Sequence, residues 1–147
     1  MKEQIQTQLR ALEQARNTYR KALHSTFESL LRFWAEASAN AGFSDEQWIE
    51  FWAEVSDWEV EEDKHGILLP LPEAVDTEVY RDDEWAQVGY SRWFLRPGKT
   101  ELWEEVSTGS RLVPITFGKR KFEDLTLKDV EVVIPQMAKV LKALIEH

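Results

Sequence analysis

From Glu3 to about Asn40 the chain has neither proline nor glycine, and apolar residues recur at Ile5, Leu9, Leu12, Tyr19, Leu23, Phe27, Leu30, Trp34 and Ala37. Steps of three, four and seven trace one face of a helix. A continuous helix of that span is about 57 Å long at about 1.5 Å per residue, longer than a domain of this size is wide. Its first two or three turns therefore either project and pair with a second chain through Ile5, Leu9 and Leu12, or fray; the pattern leaves both open. Arg16 and Thr26 interrupt the heptad, which weakens a coiled coil.

Gly42 is suited to close this helix in a left-handed cap. The stretch FSDEQW then carries the signature of a new helix start: Ser44 can accept from the Gln47 amide, the Gln47 side chain can reach back, and Phe43 can staple onto Trp48. The second helix runs from Asp45 to at least Ser56, with Trp48, Trp52 and Val55 toward the first, in an antiparallel hairpin. Its end is indistinct, because WEVEED alternates like a strand. Pro70 and Pro72 make ILLPLP an extended segment crossing the core.

Strand patterns follow near Glu78 to Arg81, Ala86 to Leu95, Thr100 to Ser107 and Arg111 to Phe117, separated by the turn signals RPGK and STGS. Apolar groups fall on both faces of the second of these: Val88, Tyr90 and Phe94 on one, Trp93 and Leu95 on the other. The sheet should therefore be partly covered on each side. At LTLKDV, Thr126 caps a last helix with Asp129 as its partner and Leu125 positioned to staple onto Val130; Pro135 must kink this helix or begin a new one.

The predicted fold is a single α+β domain, with an N-terminal helical hairpin and a C-terminal helix packed on a three- to four-stranded antiparallel sheet. Its parts are a long helix over 1–43, a second helix with an acidic extension over 44–66, antiparallel strands over 77–117 and the C-terminal helix over 126–147.

Composition narrows the function classes. A length of 147 residues with 43% hydrophobic content provides one real core. With no cysteine there are no disulfides, thiolate metal sites or cysteine nucleophile, as fits a reducing compartment. No signal-like or membrane-spanning apolar run occurs, so a soluble, cytoplasmic protein is expected. The net charge of −9 argues against nucleic acid as a direct ligand. That charge is concentrated: Asp45 to Glu84 holds fifteen Asp and Glu against Lys64 and Arg81, and each flank is weakly positive.

No motif names a reaction. Gly98-Lys99-Thr100 matches the end of a phosphate-binding loop, but the earlier glycine it needs is replaced by Trp93, and Pro97-Gly98 has the chemistry of a β-turn. GYSRW departs from a nucleophile elbow at its last position, and GKRKF reads as a solvated basic turn. His65, before Gly66, would suit a helix end as a cation. Glu61 and His65 stand four apart, the spacing of two metal ligands on a helix, but further ligands could come only from Asp82, Asp83 and Glu84. No catalytic residue, cofactor or metal is assigned.

The expected function is a non-enzymatic, acidic protein-binding module that docks on a basic surface. Trp58 would be its aromatic anchor, and Glu59, Glu61, Glu62, Asp63, Asp82, Asp83 and Glu84 its contact carboxylates. In its sharper form the carboxylates stand in for phosphates, making the chain an inhibitor or regulator of a nucleic-acid-binding protein. The alternatives are a small enzyme using carboxylate acid/base chemistry, or a structural assembly subunit.

Overall fold

The computed structural model describes the backbone of residues 1–81 and 85–147, and the side chains of 1–76 and 89–147. Helix α1 spans Lys2–Ala41 and ends where Gly42 takes a left-handed φ of 63°, a conformation without penalty only for glycine. Helix α2, Asp45–Val55, opens with the capping box expected from the sequence: the Gln47 amide donates to Ser44 Oγ at 3.2 Å, and the Ser44 amide donates to Gln47 Oε1 at 2.8 Å. Phe43 meets Trp48 edge-on with ring centroids 4.8 Å apart. Helix α3, Leu127–Ile145, is capped in the same way by Thr126 and Asp129, and it runs through Pro135 without a break.

Among the described residues six antiparallel strands form the sheet: β1 Glu61–Asp63, β2 Gly66–Pro70, β3 Val75–Arg81, β4 Trp85–Leu95, β5 Leu102–Ser107 and β6 Thr116–Arg120. The α+β class and the helix-on-sheet packing hold, and the sheet carries two strands more than the largest number expected. Both come from the segment after α2. That helix stops at Val55, so the acidic extension is β1, and ILLPLP contributes β2. The last strand is displaced from the predicted Arg111 to Phe117 to Thr116–Arg120. Pro114 has no amide to give a ladder, and Leu112 is 93% exposed, so pairing begins only beyond them.

Strands β2 and β3 occupy one edge of β4 in succession, while β5 takes the other edge. The Leu71 amide still bonds the Trp93 carbonyl at 2.8 Å, and pairing resumes at Val75 opposite Ser91. Residues 72–74 thus stand against Arg92 alone, a bulge that bends the edge strand. The bulge exposes backbone groups that the ladder cannot satisfy. Gln136, a buried residue of α3, answers two of them: its Oε1 accepts from the Glu73 amide at 2.6 Å, and its Nε2 donates to the Glu73 carbonyl at 3.4 Å.

All three helices share one core with one sheet face. Phe27, Leu31 and Trp34 of α1, Trp48, Phe51 and Trp52 of α2, and Val130, Val133, Met137 and Val140 of α3 join Ile67 and Leu69 of β2, Leu71 just after it, and Trp93 and Leu95 of β4. The sequence alternation in β4 is obeyed. Phe94 faces the other way, yet is only 1% exposed, covered in part by Phe117 and the Arg92 guanidinium. The sheet is therefore covered on both sides, as its two-faced apolar pattern implies.

Before Leu23 every residue of α1 is exposed, including Ile5, Leu9 and Leu12. The most N-terminal hydrogen bond from α1 to the body among the described residues runs from the Tyr19 hydroxyl to Glu131 at 3.3 Å, and the roughly 26 Å of helix before it is exposed along its whole length. Deleting residues 1–12 should accordingly change the unfolding free energy by less than about 0.5 kcal/mol, read from a urea titration. Replacing Gln136 with Leu leaves the Glu73 amide without its partner. It should cost about 1–3 kcal/mol in the same measurement while preserving the slope of the transition.

Candidate docking site

The segment after α2 is shaped by hydrogen bonds from its own polar groups. Ser56 leaves the helix in an extended conformation, and its Oγ accepts from the Trp58 amide at 3.1 Å, which turns the chain back. The Trp58 indole N–H then reaches the Pro72 carbonyl in the bulge at 3.1 Å. The Arg92 guanidinium lies over its ring at 4.8 Å. Trp58 is held on one side and open on the other, with 42% of its surface exposed.

Beside it is a depression of about 470 Å³ lined by Ile49, Ala53, Ser56, Asp57, Trp58, Glu59 and Val60. Ile49, 52% exposed, lies off the α2 face that carries Trp48 and Trp52 into the core. Glu46, Glu50 and Glu54 follow at four-residue spacing, a row of exposed carboxylates next to the Ile49–Ala53 strip, and exposed Asp57 and Glu59 continue it. None of these five acids makes an ion pair among the described residues. The arrangement is an apolar floor with an acidic rim.

Two of the acids expected to face a partner are paired with arginines of the chain itself. Glu61 pairs with Arg92 at 3.0 Å, and Arg92 also donates to Glu105 at 2.9 Å. Asp63 receives both Arg96 guanidinium ends, at 2.9 and 2.6 Å, and the His65 amide at 2.8 Å. Hydrogen bonds from Arg96 are the main reason the Asp63 carboxyl is lowered to a pKa of about 2. Arg96 itself is 4% exposed. These pairs tie β1 to β4 across β2, and so give a run of acids a place in a sheet. Glu59 and Glu62 are exposed, as a contact role requires. Asp82, Asp83 and Glu84 lie outside the described residues.

His65 does not end a helix; it sits in the turn between β1 and β2. Glu61 lies in β1 and His65 in the turn beyond it, so the helical spacing that would pair them as ligands does not exist here. No group of three or more possible metal ligands occurs among the described residues. Ile49 and the acid row of α2 lie outside the contact set expected from the sequence. Their signal was present in the helical wheel, as an isoleucine off the tryptophan face next to acids repeating every four residues.

The Asp63 pair has a pH signature. A carboxyl lowered on folding contributes stability that is complete above its unfolded value, about 3.9, and lost as pH falls through about 2. The wild type should therefore lose stability across that acid window. Asp63→Asn should be less stable at neutral pH and show a flatter profile from about pH 4 to 2, followed by thermal unfolding.

No described helix is long and apolar enough to cross a membrane. No protein-family model, curated protein or solved structure matches this chain, which leaves the geometry of the site as the guide to function.

Proposed function

We propose that this chain is a non-enzymatic protein-binding module that docks a basic, partly apolar surface of another protein on the outer face of α2 and the Trp58 turn. The observation that carries the proposal is the pairing of unbridged carboxylates with an exposed apolar floor: Glu46, Glu50, Glu54, Asp57 and Glu59 beside Ile49, Ala53 and Trp58. Charges at a rim steer encounter, and a desolvated apolar centre slows dissociation. Because Glu61 and Asp63 hold the sheet together, the docking charges are drawn mainly from α2, with Glu59 and Glu62 retained.

A row of carboxylates rising about 6 Å per step on a rigid helix also supports the sharper form, an inhibitor or regulator that occupies phosphate sites on a nucleic-acid-binding protein. A cytoplasmic location belongs to the same proposal. Asp63 gives the carboxylate-enzyme alternative no support, because its lowered carboxyl shifts the wrong way for a general acid at neutral pH. Self-association through Ile5, Leu9 and Leu12 is a second reading, favoured by the exposure of all three.

The test is capture from native extract with three forms of the chain. Changing Glu46, Glu50, Glu54 and Glu59 together to Gln should lower the association rate at least about tenfold and flatten its salt dependence, since exposed charges act over about 8 Å at physiological ionic strength. The same change at exposed Glu3, Glu13, Glu36 and Glu146 should leave the captured partner and its rate nearly unchanged. Ile49→Ala should chiefly speed dissociation, and it is a cleaner probe than Trp58→Ala, which would also release the Pro72 carbonyl. Equal weakening by both charge sets would make the acidity a solubility feature and remove the site.

A further inference from the structure

On the sheet's outer face, three stretches that mean little separately in the sequence meet. The β4–β5 turn brings Lys99, β6 brings Lys119, and the β1–β2 turn brings His65 to a depression of about 360 Å³, completed by Arg96, Glu101 and Trp103. Lys99 is positioned by the Pro97-Gly98 turn, in which Gly98 has a φ of 72° and the Lys99 amide reaches the Arg96 carbonyl at 3.3 Å. The Gly98 amide is fixed to Ser38 of α1 at 2.8 Å, so the turn is anchored to the core. Lys119 stands opposite Trp103 in the β5–β6 ladder, with its ammonium 5.8 Å from the ring centroid.

The geometry points to a binding site for a compact phosphate, free or as a small ester. Arg96 is neutralised by Asp63, and Glu101 accepts the Trp103 indole N–H at 3.0 Å and offsets one lysine. One positive charge is left on a chain whose net charge is −9, with His65 adding a ring nitrogen. Lys99, Lys119 and His65 are exposed, and none pairs with a carboxylate among the described residues. Separate point donors from three elements suit an oxyanion with several acceptor oxygens. The planar fork that would match a carboxylate is already engaged by Asp63. The floor of the depression is fixed, because the Arg96 guanidinium, held by Asp63, lies over the Trp103 ring at 4.7 Å. Long polyanions are disfavoured by the surrounding negative charge, so the ligand is small. This site owes nothing to a phosphate-binding loop; the lysine of the incomplete motif acts through its side chain, from a β-turn.

The experiment titrates the 15N-labelled full chain with inorganic phosphate at fixed pH and ionic strength. Saturable shifts are expected at the Gly98 and Lys99 amides and at the Trp103 indole N–H, with a Kd of about 1 mM. The double substitution Lys99→Ala and Lys119→Ala should raise that Kd at least about tenfold. Both residues are exposed, so the rest of the spectrum should be kept. A control pair on α3, Lys128→Ala and Lys139→Ala, should leave the Kd unchanged. A parallel titration with glycerol phosphate separates the sources: tighter binding than inorganic phosphate assigns the ester, and weaker binding assigns the free ion. Shifts that fail to saturate, that survive the Lys99/Lys119 substitutions, or that vanish equally in the control pair would overturn the site.

Discussion

Three indole N–H groups bind the structure together. Trp34 of α1 donates to the Arg96 carbonyl at 3.0 Å, Trp52 of α2 to the Pro70 carbonyl at 2.6 Å, and Trp58 to the Pro72 carbonyl at 3.1 Å. The carbonyls lie where strands end or the edge bulges, at positions a ladder leaves incompletely used. Tryptophan suits this position because one side chain supplies a large apolar surface and a single donor. The rings of Trp34 and Trp52 also meet edge-on at 6.1 Å, and Trp34 packs against Trp48 at 5.7 Å. A helix layer held only by apolar contact could slide along the sheet; donors aimed at particular carbonyls fix its register.

The bulge at 72–74 joins this framework to the surface. Its carbonyls and amide are taken by Trp58 and Gln136, which draws α3 and the turn after α2 to the same point of the edge strand. The exposed half of Trp58 beside Ile49 is thus a consequence of how the bulge is satisfied. Arg92 completes the arrangement by lying between the Trp58 and Phe94 rings while bridging Glu61 and Glu105. Charge on this chain accordingly has two uses. Acids opposite Arg92 and Arg96 are internal ties, whereas those on the outer face of α2 are turned to solvent.

Helix starts were the most legible features. Ser44 with Gln47, Thr126 with Asp129, and Gly42 at a helix end all act within four residues of themselves, so the chemistry that sets them is written contiguously. The extended character of ILLPLP was legible for the same reason, since proline restricts its own φ and its neighbour. The strand over Glu61–Asp63 was not. Three consecutive acids have poor strand propensity, and they form one because Arg92 and Arg96, about thirty residues later, supply the opposite charge. The contact residues divided along the same line: Trp58 and Glu59 could be proposed from local composition, but whether Glu61 or Asp63 faced a partner or an arginine depended on the pairing of distant strands.

By itself the sequence determined the helix starts, their caps, the β4–β5 turn at Gly98 and the two-faced character of β4, because each rests on backbone preference or on the period of neighbouring side chains. Tertiary structure alone decided which acids became ties and which remained a rim, and that Lys99, Lys119 and His65 should share one depression. The physical reason is that charge and hydrogen bonding act through space. Side chains carried by different strands become neighbours only when the sheet sets their register, and the sheet's register rests on indole and amide donors that no local pattern reveals.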